Sequence, residues 1–364
     1  MAIKSITPAR GATWRQSLCA WLLCVACGFA GAAHAGYAAI VINEADGQVI
    51  TAVNADEANH PASLAKMMTL YLTFQALQNG TLKLDQDLPV SSWAAAKAPT
   101  KLDLRNGQTI SVEDCVYGMI TKSANDAATV VAEGLGGSES HFVDMMNAQA
   151  QLLGMSNTRF ANASGLPDPD DTTTARDMSK LAMALYHDFP QFSHYFSAKD
   201  FTFRGRLVRG HNNLMDKYPG MDGLKTGFTN ASGFNLASTA VKDGRRLFSV
   251  VMGGRTASTR DRLMARLLDD GFENQETPSD VVAQAGEAPA TGVKGRRGKA
   301  TAVADAAPAS RRHHRRSKGD AVASTATCSK KKKAATCPAT STRSAQKVAT
   351  SGQKVASVDG SPDK

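Results

Sequence analysis

Cysteine is scarce wherever this chain can fold. Of the six in 364 residues, Cys19, Cys24 and Cys27 fall in an N-terminal apolar stretch, Cys328 and Cys337 fall in a polar C-terminal stretch, and Cys115 stands alone between them. The central region therefore has no pair from which to build a disulfide framework. Cys328 and Cys337 are separated by Ser-Lys-Lys-Lys-Lys-Ala-Ala-Thr, which offers no core for a bridge to staple. No Cys/His spacing resembles a zinc site, and no cofactor is implied. Cys115, on an apolar stretch, reads as a small buried hydrophobe rather than a nucleophile. Long hydrophobic runs are missing too. The apolar run 18–32 is too short for a comfortable bilayer span. It follows Lys4, Arg10 and Arg15 and precedes Ala33-His34-Ala35, a small-x-small cleavage pattern, so residues 1–35 read as an export signal. An uncleaved anchor is the alternative; a lipidated Cys27 is disfavoured because Cys24 stands where a lipobox requires Leu. The mature chain then begins at Gly36, periplasmic or otherwise outside the cytoplasm.

Aromatic residues vanish after Gln275. Ala, Ser, Thr, Lys and Arg take over, with a short repeat, Ala345-Gln-Lys-Val-Ala-Thr350 then Gly352-Gln-Lys-Val-Ala-Ser357. Such a segment buries too little apolar surface to offset its ordering entropy, so residues 276–364 read as a disordered tail. The tail is also where the basic charge lies. Residues 277–364 hold 17 Lys/Arg against 6 Asp/Glu, a net +11, while the whole chain is +9. The folded part is therefore mildly acidic, and the overall basicity says nothing about an active region. Anionic lipid, polysaccharide or wall material suits the tail as a partner, with a plain solvated linker as the alternative. Export makes nucleic acid an unsuitable one.

Between these ends the pattern predicts strands at both termini and helices in the middle. Residues 37–53 alternate as a hairpin about Ala45-Asp46-Gly47, and residues 234–254 form a second hairpin about Lys242-Asp243-Gly244. Helices are expected from Ser63 to Leu77 and at 112–121, 124–135, 138–153, 175–188 and 258–272. The first is apolar nearly all round, which places it in the domain centre. Residues 162–171 are a loop rich in turn formers. The expected architecture is α/β in the broad sense (α+β): an antiparallel sheet with its first and last hairpins adjacent, flanked by helices, plus a helical subdomain.

Three short motifs stand in order within this region: Ser63-Leu-Ala-Lys66, Ser123-Ala-Asn125 and Lys225-Thr226-Gly227. A helix puts Ser63 and Lys66 on one face about one turn apart. A serine hydroxyl must lose its proton to act as a nucleophile, and lysine can accept it only when neutral. Burial and a second cation depress a lysine pKa, and Lys225 is the candidate cation. Taken alone, the first motif is equally a capping Ser with a snorkelling Lys, Ser123 and Asn125 are ordinary caps at a helix break, and Gly227 is a turn glycine. Ser-x-x-Lys also occurs at Ser329/Lys332, Ser344/Lys347 and Ser351/Lys354 in the tail, without any apolar periodicity around it. Gly227, at the start of a strand with Lys225, would let a ligand backbone come close.

Together the three motifs resemble the penicillin-recognising serine enzymes. Pro61 to Thr69, Ser164-Gly165-Leu166, Thr174 to Met178, Met221 to Gly227 and Val250 to Arg255 are similar to the low-molecular-mass D-alanyl-D-alanine carboxypeptidases, and the resemblance covers residues 37 to about 273. It implies a catalytic domain at 36–275 acting on peptidoglycan stem peptides, with β-lactams as covalent inhibitors. It further implies Ser63 as acylated nucleophile, Lys66 as its base, Ser123 as proton relay to the leaving D-alanine and Asn125 as holder of the substrate amide. Lys225 and Thr226 would lie near the substrate carboxylate, the backbone N–H groups of Ser63 and Phe228 would form the oxyanion hole beside Gly227, and Arg260 would help bind the carboxylate. Some relatives carry His where this chain has Phe228, which leaves the backbone role and changes the side chain. The β-rich second domain and amphipathic anchor helix of many relatives are not visible. A cross-link-cleaving endopeptidase is a rival on the same motifs, and a non-catalytic envelope-binding relative is another. A class A β-lactamase is disfavoured, because its deacylating Glu has no counterpart among Asp168, Asp170 and Asp171.

Overall fold

In a computed structural model, the structure describes residues 37–286; residues 1–35, expected to be an export signal, and most of the expected tail lie outside the described residues. Strand β1 (Ala38–Asn43) turns into β2 (Val49–Val53), and a 3-10 turn (Ala62–Ala65) leads into α1 (Lys66–Gln78). The middle of the chain contributes β3 (Asp87–Pro89), α2 (Ser92–Ala95), β4 (Thr109–Ser111), α3 (Val112–Tyr117), α4 (Asn125–Gly136), α5 (Glu139–Leu152) and α6 (Ala175–Asp188). A small hairpin, β5 (Asp200–Phe203) with β6 (Arg206–Arg209), precedes β7 (Met221–Thr229), β8 (Gly233–Lys242) and β9 (Arg245–Gly254). Two helices close the fold, α7 (Ala257–Phe272) and α8 (Ser279–Gly286).

The main sheet has the order β2-β1-β9-β8-β7 and is antiparallel throughout. The first and last hairpins are adjacent through β1 and β9, as expected. β1 is buried along its whole length because both faces of the sheet are covered. Ile40, Phe248, Val250 and Met252 face a large core with Leu64, Met68 and Leu181, while Val41, Leu247 and Val251 face a second core with Leu263, Leu267 and Val282. This alternation is the period-two pattern of a strand read from both sides. Helix α1 runs through the centre of the helical region, and from Lys66 to Ala76 all of its side chains but Gln75 are buried. An all-round apolar sequence has no solvent face to offer, which is why it occupies that position.

Three expectations need correction. The central helix does not start at Ser63, since the 3-10 turn carries the serine and regular α-helix begins at Lys66. The helix expected at 112–121 is α-helical only to Tyr117 and then widens into a π turn, Gly118–Lys122. The fold also does not stop at Gln275. Thr277 donates its N–H to Thr51 Oγ1 and its hydroxyl to Asp270, and α8 buries Val282 completely. A run with no aromatics looked too weak to pack, but one valine and one threonine suffice where the surface they meet is preformed. The hairpins β3–β4 and β5–β6 were not foreseen.

Candidate active site

The 3-10 turn that carries Ser63 is pinned from three sides. Asn235, fully buried on β8, donates its Nδ2 to the carbonyls of His60 (3.0 Å) and Pro61 (3.2 Å). Gly227 on β7 comes so close that a Cβ there would stand 3.1 Å from Pro61 O and 3.2 Å from Ser63 N. Gly165 lies against Ala62, where a Cβ would overlap the carbonyl oxygen at 1.7 Å. Ala62 itself sits at φ 50°, a left-handed conformation that costs an alanine about 1 kcal/mol or more. Gly227 thus admits the protein's own backbone, in addition to lining the cleft where a ligand would lie. The result is a half-buried Ser63 on the wall of a cleft of about 580 Å³.

Lys66 is wholly buried one turn further on. Its Nζ lies 3.2 Å from Ser63 Oγ, 2.6 Å from Asn125 Oδ1 and 2.6 Å from the carbonyl oxygen of Ser164. A neutral amine has two N–H bonds and one lone pair, while an ammonium has three N–H bonds and none. Asn125 Oδ1 and Ser164 O can only accept, so in the neutral form they take both hydrogens and the lone pair faces Ser63 Oγ–H. The surroundings favour that form. Burial and then the nearby Lys225 charge hold Lys66 well below the usual lysine range, with Asp126 and Asp171 opposing more weakly.

The opposite wall comes from the break between α3 and α4. The π turn ends at Ser123 in a left-handed conformation (φ 59°), a kind of irregularity found often at functional sites. The Thr100 hydroxyl donates to Ser123 O at 2.9 Å and holds the break against the 98–100 loop. Ser123 Oγ lines the cleft and, among the described residues, has no hydrogen-bond partner. A buried hydroxyl left unpaired is free to serve a ligand. Asn125 begins α4, and its Nδ2 donates to Ala98 O at 2.8 Å while its Oδ1 serves Lys66. One Nδ2 hydrogen remains for the cleft, which Asn125 also lines.

The third side is β7. Lys225 is mid-strand rather than at a strand start, is almost fully buried, and donates its Nζ to Thr226 O at 2.7 Å. Thr226, Gly227 and Phe228 line the cleft beside Ser63. Among the described residues the strand ends the sheet, so its outer edge carries backbone groups without a strand partner there, a template for an extended peptide. The Phe228 ring packs on Phe234, with centroids 4.2 Å apart. Lys225 is not itself among the residues that line the cleft, and neither is Arg260. Arg260 is buried under Gly254, donates Nη1 to Asn235 O at 2.6 Å and places Nε 2.8 Å from Asp261 Oδ1. In that position it supports the strand that pins the serine turn.

Several contributors had no signal in the motifs. Ser164 acts through its carbonyl, and any residue type has one. Its loop is folded by Asn162 Oδ1, which accepts from the N–H groups of Ser164 and Leu166, and by Glu139, which accepts from Ala163 N–H. Glu139 also pairs with Lys97 at 2.5 Å, both side chains about nine-tenths buried, and so ties this loop to the 96–100 loop of the other wall. Asp126, wholly buried, accepts from the N–H groups of Leu102 and Leu104. Among the described residues no group of His, Cys, Asp and Glu is placed to hold a metal ion.

This arrangement has counterparts. A family model described as D-alanyl-D-alanine carboxypeptidase matches residues 28–256. The D-alanyl-D-alanine carboxypeptidase DacD of Escherichia coli is 36% identical over 251 residues, covering 67% of this chain and 64% of that protein. DacC of the same organism is 37% identical over 249 residues, 66% of this chain and 62% of that protein. The chain thus spans a little under two thirds of the length of the curated relatives it matches. Among solved structures, penicillin binding protein 5 from Haemophilus influenzae superposes with a TM-score of 0.63 at 34% identity, covering 66% of this chain and 71% of that one. Penicillin-Binding Protein D2 from Listeria monocytogenes in the ampicillin-bound form gives a TM-score of 0.57 at 34% identity, covering 65% and 96%. With a family match over more than half its residues, and with the antiparallel sheet and flanking helices of those structures, the chain belongs to the D-alanyl-D-alanine carboxypeptidase family.

Proposed function

We propose that this protein is a serine-type D-alanyl-D-alanine carboxypeptidase that removes the terminal D-alanine from peptidoglycan stem peptides outside the cytoplasm. The observation that carries this reading is the setting of Lys66: a buried amine held below its usual pKa, both hydrogens taken by fixed acceptors, its lone pair facing Ser63 Oγ.

Ser63 Oγ attacks the carbonyl carbon of the penultimate D-alanine and its proton passes to Lys66 Nζ. The oxyanion that forms is held by the N–H groups of Ser63 and Phe228. Ser123 Oγ donates its proton to the departing amine nitrogen as the C–N bond breaks, and is reprotonated from Lys66. Lys225 and Thr226 sit on the side where the substrate carboxylate lies, and Asn125 Nδ2 offers its spare hydrogen to the peptide. Water then attacks the ester on Ser63, and the shortened peptide leaves. A β-lactam ring presents the same reacting carbonyl and acylates the same oxygen. The ampicillin-bound form of the Listeria relative supports carrying this binding over.

The test is covalent labelling by a fluorescent penicillin together with mass spectrometry of digested wall pentapeptides. The expected result is one adduct on the wild type, none on Ser63→Ala, and loss of one alanine from the pentapeptide. Labelling that survives in Ser63→Ala refutes the nucleophile, and release of monomers from cross-linked dimers with intact pentapeptides refutes the carboxypeptidase in favour of an endopeptidase.

A further inference from the structure

A second cavity opens beside the catalytic cleft. It encloses about 220 Å³ between His60, Ala62, Pro167, Asp168, Asp171 and Ala231, and shares Gly165, Pro167, Thr229 and Ala231 with the cleft wall. Most of its surface is apolar, so the acid at its floor needs a reason. Asp171 is 3% exposed. One oxygen takes a hydrogen bond from Ala161 N–H, and Oδ1 has no partner among the described residues. An unsatisfied buried carboxyl oxygen is costly, and a ligand bearing a donor would recover that cost. Apart from the Ala161 bond the loop makes little use of this side chain: Asp171 meets His60 through its backbone, the carbonyl accepting from Nδ1 at 2.7 Å.

The direction of a bound peptide leads to this cavity. In the carboxypeptidase reading Lys225 and Thr226 attract the terminal carboxylate, so the leaving residue lies toward Thr226 on the cleft wall. The rest of the acyl donor must run the other way along the β7 edge, past Phe228 and Thr229 toward Asn230 and Ala231, where the second cavity begins. We propose that this cavity is a specificity subsite for an ammonium-bearing side chain on the residue just upstream of the D-Ala-D-Ala unit, with methylenes between Ala62 and Pro167 and the ammonium donating to Asp171 Oδ1. A cation on a flexible apolar stem matches an apolar cavity with one acid at its end. Asp168 at the rim adds a second negative charge. Burial raises the Asp171 carboxyl to about 8, with Asp168 adding to the rise and Lys66 opposing it. His60, Asp168 and Lys66 are the charged or titratable groups that face it, and a bound ammonium would favour the ionised form.

This inference rests on the carboxypeptidase reading, and the experiment separates the two. The substrates are Nα-acetyl-L-lysyl-D-alanyl-D-alanine and the same peptide acetylated at Nε, which differ in charge at the proposed position alone. The wild type is expected to favour the free amine at least tenfold in kcat/KM, with the preference growing from pH 6.5 to 8.5 as Asp171 ionises. Asp171→Asn should bring the ratio below threefold, with penicillin labelling confirming that the variant is folded. Equal turnover of both peptides by the wild type, or a preference retained in Asp171→Asn, overturns the subsite and leaves the carboxypeptidase standing. Should the variant fail to fold, the wild-type ratio decides by its pH course: a rise supports the subsite and a flat ratio overturns it. Turnover of neither peptide overturns the carboxypeptidase reading and this inference with it.

Discussion

Replacing Asn125 by Asp changes one atom group and tests the base assignment directly. Asn125 Oδ1 lies 2.6 Å from Lys66 Nζ. At that separation, with an effective dielectric constant of about 20, a full negative charge attracts an ammonium by about 6 kcal/mol. The new carboxylate must itself be desolvated, so roughly half of this is expected to survive, which raises the Lys66 pKa by about 2 units. The neutral fraction then falls by up to about a hundredfold at pH values below the wild-type pKa, and acylation by penicillin should fall with it. The diagnostic is the shape of the profile. In the wild type the acylation rate rises with pH until Lys66 is neutral and then levels, because only the free amine accepts the proton. In Asn125→Asp the rising limb moves to higher pH by about two units, whatever the lost Nδ2 contact does to the plateau. Stopped-flow acylation between pH 5 and 10 reads this out. Loss of a substrate contact at Asn125 would instead lower the rate evenly at every pH. An even loss, or a limb displaced by less than half a unit, would refute the proposal that Lys66 is the base.

Gly227→Ala should force the serine turn and β7 apart by a few tenths of an ångström, because its Cβ would stand 3.1–3.3 Å from Pro61 O, Ser63 N and Leu64 N. Acylation is expected to drop by about 10–100-fold with only a modest change in Tm; a rate within twofold of wild type would show that the approach is not needed. Truncation after Gly286 should leave stability unchanged, while truncation after Gln275 uncovers the Val282 site and the Thr277 bonds, and should cost about 2–3 kcal/mol, a Tm loss of roughly 5–10 °C. Equal Tm values for the two truncations would return the fold boundary to Gln275. Asp171 binds its proton more tightly folded, near 8, than unfolded, near 3.9, so its contribution to stability is complete below about pH 4 and is lost as pH rises through about 8. Denaturant titrations from pH 5 to 9 should therefore show Asp171→Asn gaining on the wild type as pH rises, and a constant difference would contradict the buried acid.

The sequence by itself determined what is periodic or chemical in type. Strand alternation at 37–53 and 234–254, the all-round apolar run that became α1, and the order Ser63, Lys66, Ser123, Asn125, Lys225 are local facts of the chain, and the folded arrangement uses each of them. What the fold decided are the relations between distant segments. The carbonyl of Ser164 and the side chain of Asn125 orient Lys66 although both are far away along the chain. Asn235, 174 residues from Pro61, fixes the serine turn, and Arg260, which its residue type would send to a carboxylate, donates to a strand carbonyl. Backbone carbonyls carry no signature in a sequence, and a side chain's partner depends on which strand the topology lays beside it. A lysine becomes a base only where the whole fold has removed water and supplied a neighbouring cation.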